Sequence, residues 1–358
     1  MSVRFHWPIV LAAIAAIAAI VACGNGGGAG LAEVEADIDA SGAEASGPVG
    51  PAYAAPGPWT VSTCDVASST APCTASGDLA ADSGDSTVLY VVFYPTDLGA
   101  AGFRHPILTW GNGTGAAPAA YSVLLTHLAS WGFVIVASTS PNTGTGAEML
   151  AGEDYLVAAN ADEASPFYES LDVDHIGAVG HSQGADGAAQ TLLAADAPGS
   201  AHSFIATLLP IELPAQEWTC FGDPAPSCVA AESFDSASLV HGSVFFVDGS
   251  KDTLIAPPTQ AAGTTGEQSI QAYYDATPAG TPKAKATLLG ADHNDIQDRC
   301  TVGLGCAGVG PGGYLGYVTA WLMYQLRGDA RARLAFAGSA PQISADPRWT
   351  DTDEASLP

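Results

Sequence analysis

The stretch Ile176-Gly177-Ala178-Val179-Gly180-His181-Ser182-Gln183-Gly184 decides the reading of this chain. Four apolar or small residues of strand character run into a glycine-flanked serine, and Ala185 to Ala195 then continues as a helix-forming run. This is the setting of a nucleophile elbow, a turn so tight that the serine is held on a strained backbone at the end of a strand. Glycines two residues on either side let strand and helix approach without a side-chain clash. In a chain with 41 glycines the G-x-S-x-G pattern alone is weak, so its weight comes from the strand before it and the helix after it.

A serine hydroxyl is too weak an acid to attack unaided and needs a base, which in turn needs an orienting acid. In chains with such an elbow these partners follow in the order Ser, Asp or Glu, His. Asp252 ends the stretch Ser243 to Asp252, where an apolar strand gives way to a turn and then to Pro257-Pro258. His293 ends a comparable stretch, Ala286 to His293, and is the one histidine after Asp252. Ser182, Asp252 and His293 therefore read as nucleophile, acid and base. Asp248 is the rival acid, but it reads as lying within the preceding turn, whereas Asp252 ends the strand segment and precedes the proline pair. The backbone N–H of Gln183 is the expected first donor of an oxyanion hole, and one such donor is typically worth about 10² to 10³ in rate. His181, beside the nucleophile, is expected to line the cleft rather than serve as base.

Apolar runs recur at Val88–Tyr94, Ile107–Trp110, Phe133–Ala137, Ile176–Val179, Phe204–Leu209, Val244–Val247 and Ala286–Leu289. Helix-compatible segments lie between most of them: 119–130, 147–161, 185–195, 266–276 and 313–327. This alternation predicts an α/β fold, a mostly parallel central sheet with helices on both faces. The segment 213–240 is longer than an ordinary connection, and a pinned surface loop and a small cap over the cleft both fit it.

On these residues the chain resembles the α/β-hydrolase superfamily, and within it the dienelactone-hydrolase-like and cutinase-like branch with bacterial polyester hydrolases and, more distantly, chlorophyllases. The resemblance runs from Pro106 to about Leu326 and is carried by Trp110 to Gly115, Leu128 to Val136, the serine turn, Asp252 to Pro257, and His293. It implies an α/β-hydrolase fold, ester hydrolysis through an acyl-enzyme, and no cofactor. It also places Thr114 at the second oxyanion position. The polyester hydrolases carry an aromatic residue there, so Thr114 counts against aromatic polyesters and leaves ester hydrolysis untouched. By the same analogy Trp218 is a candidate substrate contact, with a packed, half-exposed tryptophan as the alternative.

The ends of the chain point to export. Arg4 precedes an apolar run from Ile9 to Ala22, too short for a membrane span. Ile20-Val21-Ala22 before Cys23 resembles a bacterial lipobox, which makes residues 1–22 a signal peptide and Cys23 a lipidated first residue. Gly24 rather than an aspartate follows it, favouring the outer membrane, with the periplasm or cell surface as alternatives. Residues 23–58 read as a flexible acidic tether, 59–337 as the catalytic domain and 338–358 as a solvated acidic tail. The six other cysteines fall into short-range pairs, Cys64 with Cys73, Cys220 with Cys228 and Cys300 with Cys306, as disulfides of an exported chain would.

A formal charge of −27, from 37 acidic against 10 basic residues, repels phosphate backbones and argues against nucleic-acid binding. Gly111, Gly113 and Gly115 form G-x-G-x-G rather than a dinucleotide fingerprint. Asp292, Asp295 and Asp298 lack the glycine turn and terminal glutamate of a calcium loop and read as surface acidity, so no metal is expected. The expectation is an exported, lipid-anchored serine esterase. A thioesterase, amidase or peptidase would use the same residues, and a non-catalytic binding protein on a hydrolase scaffold is the alternative of another kind.

Overall fold

A computed structural model describes residues 47–75, 89–218, 234–300, 303 and 305–358, all within one unit spanning Ser46–Pro358. The signal peptide, Cys23, most of the tether, and Cys220 with Cys228 lie outside the described residues.

The described strands form one ten-stranded sheet. In chain order they are β1 (Val61–Val66), β2 (Thr74–Ala75), β3 (Tyr90–Pro95), β4 (His105–Gly111), β5 (Val134–Ser138), β6 (Leu171–His181), β7 (Ile205–Ile211), β8 (Ser243–Gly249), β9 (Lys283–Leu288) and β10 (Trp349–Ala355). Their order across the sheet is β10-β9-β8-β7-β6-β4-β5-β3-β1-β2. The strands from β5 through β4, β6, β7 and β8 to β9 are parallel, and the outer pairings are antiparallel. The chain is therefore α/β with a mostly parallel central sheet, as its alternating pattern predicts.

Strand β8 shows why the parallel strands read as unbroken apolar runs. All seven of its residues are buried, because helices cover both faces. Successive side chains point to opposite faces, so Phe245 and Val247 join one core while Val244 and Phe246 join the other. The first core also takes Trp321 and Leu322 from the helix Leu315–Arg327 and Leu124 and Leu128 from the helix Ser122–Ser130. The second takes Met149 and Leu156 from the helix Ala147–Ala161 and Ala188 and Leu192 from the helix Gln183–Ala195.

Both ends of the folded unit lie further out than the sequence reading places them. Residues 49–54, assigned there to the flexible tether, form a short helix with Val49 and Tyr53 buried. Tyr53 Oη donates to Asp329 Oδ2 at 2.7 Å, and His127 Nε2 donates to the Tyr53 carbonyl at 2.8 Å. Gly316 permits the contact with the helix Leu315–Arg327, because a Cβ there would lie 2.4 Å from the Gly50 carbonyl oxygen. At the other end the supposed tail supplies β10, which pairs antiparallel with β9 and covers what would be an open sheet edge. Trp349 anchors it, edge-on to Tyr317 at 5.5 Å. A chain begun at Trp59 is expected to be about 3 to 5 kcal/mol less stable in urea than one begun at Gly47, the burial energy of two large apolar side chains. Equal stabilities would show that this helix does not belong to the folded unit.

Two of the expected disulfides fall on described residues and are paired. Cys64 on β1 joins Cys73, with Cα atoms 5.5 Å apart, and Cys300 joins Cys306 at 5.8 Å. The first clips the outermost strands together, and the second closes the loop after His293.

Candidate active site

The carboxyl ends of β6, β7, β8 and β9 meet on one edge of the sheet. His181 pairs with Ile211, Ile211 with Val247, and Val247 with Ala286, so the four ends lie in lateral register. The loops that follow carry Ser182, Glu212, Asp252 and His293 to the same place. Ser182 lies between β6 and the helix Gln183–Ala195 with φ 55° and ψ −126°, a conformation that costs a non-glycine residue about 1 to 3 kcal/mol. The close approach it requires is visible in its flanking glycines. A Cβ on Gly180 would lie 2.0 Å from the Gly184 carbonyl oxygen, and one on Gly184 would lie 2.2 Å from Gly111.

His293 Nε2 accepts a hydrogen bond from Ser182 Oγ at 2.8 Å, and His293 Nδ1 donates to Asp252 Oδ2 at 2.6 Å. Asp252 is fixed in turn by the backbone N–H groups of Ile255 and Ala256, each at 2.9 Å, and Leu254 at 3.2 Å. Burial pushes its carboxyl up, but the hydrogen bond and charge of His293, with the Ile255 and Ala256 amides, outweigh this and hold it below the usual value. It stays ionised beside the imidazole. Asp248 makes no such contact. It is buried on β8, where its Oδ1 accepts from Thr287 Oγ1 at 2.8 Å. Burial first, and then the Asp252 charge, raise its carboxyl well above the ordinary value despite the Thr287 bond.

His181 requires a correction. It is 0% exposed and lines no cleft. Its ring is packed between those of Tyr121 and His293, with centroids 5.6 and 5.1 Å away. There Nδ1 accepts from Tyr121 Oη at 2.9 Å and Nε2 donates to the His293 carbonyl at 2.7 Å. Tyr121 Oη also accepts from the Gly113 N–H at 3.0 Å. Burial, and next the neighbouring His293, lower His181 to about 3, so it is neutral near neutral pH and acts as a strut between the base and the loop after β4.

That loop is also pinned by Asn112, whose Nδ2 donates to the Ser138 carbonyl at 2.6 Å and whose Oδ1 accepts from Trp110 Nε1 at 3.0 Å. Thr114 follows in the same loop and is exposed. Gln183 opens its helix, so its N–H has no carbonyl one turn earlier to bond. The Gln183 side chain accepts from the Thr143 N–H at 3.1 Å and holds a second loop against the turn. Trp218 is half-buried at the border of the described residues, with its N–H bonded to the Ala215 carbonyl at 2.7 Å. Most of the long insertion lies beyond it, outside the described residues.

Glu212 escapes the sequence reading. It follows β7 with φ 53°, fully buried, and its Oε1 accepts from Tyr314 Oη at 2.9 Å. One ligand atom each from Glu212, Asp252 and His293 lie within 4.8 Å of one another. Burial, followed by the charges of Asp252 and Asp248, raises the Glu212 carboxyl well above its ordinary value, so it holds a proton beside the ionised Asp252. The signal was available, since Glu212 ends a strand on the same sheet edge as the other three residues. The aspartates after His293 are likewise not mere surface acidity. Asp295 is buried and accepts the N–H groups of Asp292, Ala307 and Gly308 at 2.9 Å, shaping the loop that carries the base. Asp298 bonds Ser122 Oγ and the Val123 N–H at the start of a helix.

Raised carboxyls give a pH dependence of stability with a definite sign. Asp186, buried on the helix after Ser182, is raised to about 7 chiefly by burial, and Glu212 and Asp248 move in the same direction. Between an unfolded value of about 4 and the folded value, the folded chain binds more protons than the unfolded one, so stability falls as pH rises. The contribution is fully present below the unfolded value and lost as pH rises through about 7 for Asp186. The melting temperature is expected to rise between pH 8 and pH 5, and a fall over that interval would contradict these protonation states.

Comparison of the chain with protein-family models and with curated proteins finds no match.

Proposed function

We propose that this chain is a serine hydrolase of the α/β-hydrolase class that cleaves carboxylic esters through an acyl-enzyme. The observation that carries the reading is the continuous hydrogen-bond chain from Asp252 through His293 to Ser182. The strained serine turn and the chain order Ser, Asp, His along a parallel sheet edge support it.

In this mechanism His293 Nε2 takes the Ser182 proton as Oγ attacks the acyl carbonyl. The ionised Asp252 holds the Nδ1–H tautomer and stabilises the imidazolium that forms. The tetrahedral oxyanion is met by the Gln183 N–H at a helix N-terminus, where the helix dipole favours negative charge. The Gly113 N–H is engaged by Tyr121, which leaves the Thr114 N–H as the next donor from that loop. Collapse expels the alcohol, protonated by His293, and water then repeats the sequence on the acyl-serine.

Export and anchoring through Cys23 belong to the same proposal and rest on the leader sequence. Among the described residues no helix is long and apolar enough to cross a membrane. The purified protein, assayed on a series of p-nitrophenyl esters beside thioester, anilide and peptide substrates, tests the reaction class. Turnover confined to the oxygen esters is expected. Preference for a thioester, anilide or peptide would reassign it, and no turnover of any would favour a binding protein.

A further inference from the structure

A second cluster of ionisable groups lies away from the serine, between the helix Ala147–Ala161 and the loop before β7. Glu153, midway along that helix, is 0% exposed, and neither carboxylate oxygen forms a hydrogen bond of full geometry, although the Ser203 hydroxyl approaches it. Its polar neighbours are Asp154, His202 and the hydroxyl of Ser203. His202 Nδ1 and Asp154 Oδ1 are 2.9 Å apart, and one donor atom from each of Glu153, Asp154 and His202 lies within 4.8 Å of the other two. The side chains of Asp154 and His202 are 46% and 34% exposed, so the cluster is open to solvent on one side and closed by Glu153 on the other.

A buried carboxylate without a well-formed hydrogen bond is costly unless its charge is neutralised, and a bound cation does this. The donors are one imidazole nitrogen and two carboxylate oxygens. Calcium and magnesium take oxygen ligands, whereas imidazole mixed with carboxylate suits zinc and its neighbours. Bonds of about 2.0 to 2.2 Å at tetrahedral angles set adjacent donor atoms roughly 3.4 Å apart, so an ion would spread Nδ1 and Oδ1 only slightly from their 2.9 Å contact.

We propose that Glu153, Asp154 and His202 form a binding site for a divalent cation of the zinc type, which ties the helix Ala147–Ala161 to the loop before β7. Binding displaces any proton on Glu153 to solvent, and His202 binds as the neutral imidazole through Nδ1 with its proton on Nε2. Three protein ligands leave at least one coordination position to water. None of the three touches Ser182, Asp252 or His293, so the site stands whether or not the chain is a hydrolase.

The test uses the purified protein, freed of metal by a chelator and titrated with zinc chloride, with calcium and magnesium chloride as controls. One zinc ion per chain and a melting temperature higher by several degrees are expected. Glu153→Gln and His202→Ala should each weaken zinc binding by about tenfold or more, the usual cost of disturbing a metal site. Both should melt near the wild-type temperature in chelator, and Asp154→Asn, at a half-exposed side chain, provides a third variant. No zinc-dependent shift, an equal shift in the variants, or an equal shift with calcium or magnesium would overturn the proposal.

Discussion

Ser182→Ala is expected to lower kcat for any ester the protein turns over by at least about 10⁴, the usual cost of removing a triad nucleophile. The fold should survive, because the substitution removes one hydroxyl whose bond runs to His293 Nε2 and to no core group. Alanine keeps the Cβ and therefore the backbone strain at φ 55°. Ser182→Gly relieves that strain and should melt higher by an amount equivalent to about 1 kcal/mol, while being equally inactive. A variant that is inactive yet more stable would show that the turn is held against its own preference. Activity near wild type in either variant, with folding checked by circular dichroism, would remove Ser182 from the mechanism.

Asp252→Asn is expected to cost about 10⁴ in kcat, because an amide in that position favours the wrong imidazole tautomer. Asp248→Asn should leave turnover within a few-fold of wild type, since Asp248 bonds Thr287 and not His293. The two aspartates lie four positions apart in one strand-and-turn segment, so the pair controls for general disturbance. Comparable losses, or the reverse ranking, would move the orienting role to Asp248. Glu212 adds a condition to this experiment. Its raised carboxyl lies beside Asp252, and in Asp252→Asn it remains an acid with an oxygen within 4.8 Å of an imidazole nitrogen. Residual activity abolished by adding Glu212→Gln would identify it as a partial substitute.

What the sequence revealed and concealed follows from where the information resides. The three groups joined by hydrogen bonds were legible because each ends an apolar run at a turn, and parallel strands bring such ends to one edge. The sheet's inner strands were legible for the same reason, since burial on both faces writes continuous apolar runs. Residues 49–54 and β10 were not, because each adds only a few apolar anchors, Val49 and Tyr53 or Ile343 and Trp349, within small and acidic surroundings. Composition correctly marks such segments as unable to fold alone, and their order comes from a surface that sequence does not display. For His181, adjacency to the nucleophile in sequence does not carry access to the cleft, because its ring is buried between Tyr121 and the His293 carbonyl. Asp295 reads as surface charge in the sequence because nothing in its neighbours reveals the backbone N–H groups that a returning loop presents to it.

The most direct test of the central claim is covalent labelling with a fluorophosphonate probe, followed by peptide mapping. Such probes react far faster with a serine whose hydroxyl is activated by a neighbouring base than with an ordinary serine. The account predicts one adduct per chain, on the peptide containing Ser182, and its loss in His293→Ala. An unlabelled protein, or an adduct on any other residue, would contradict it.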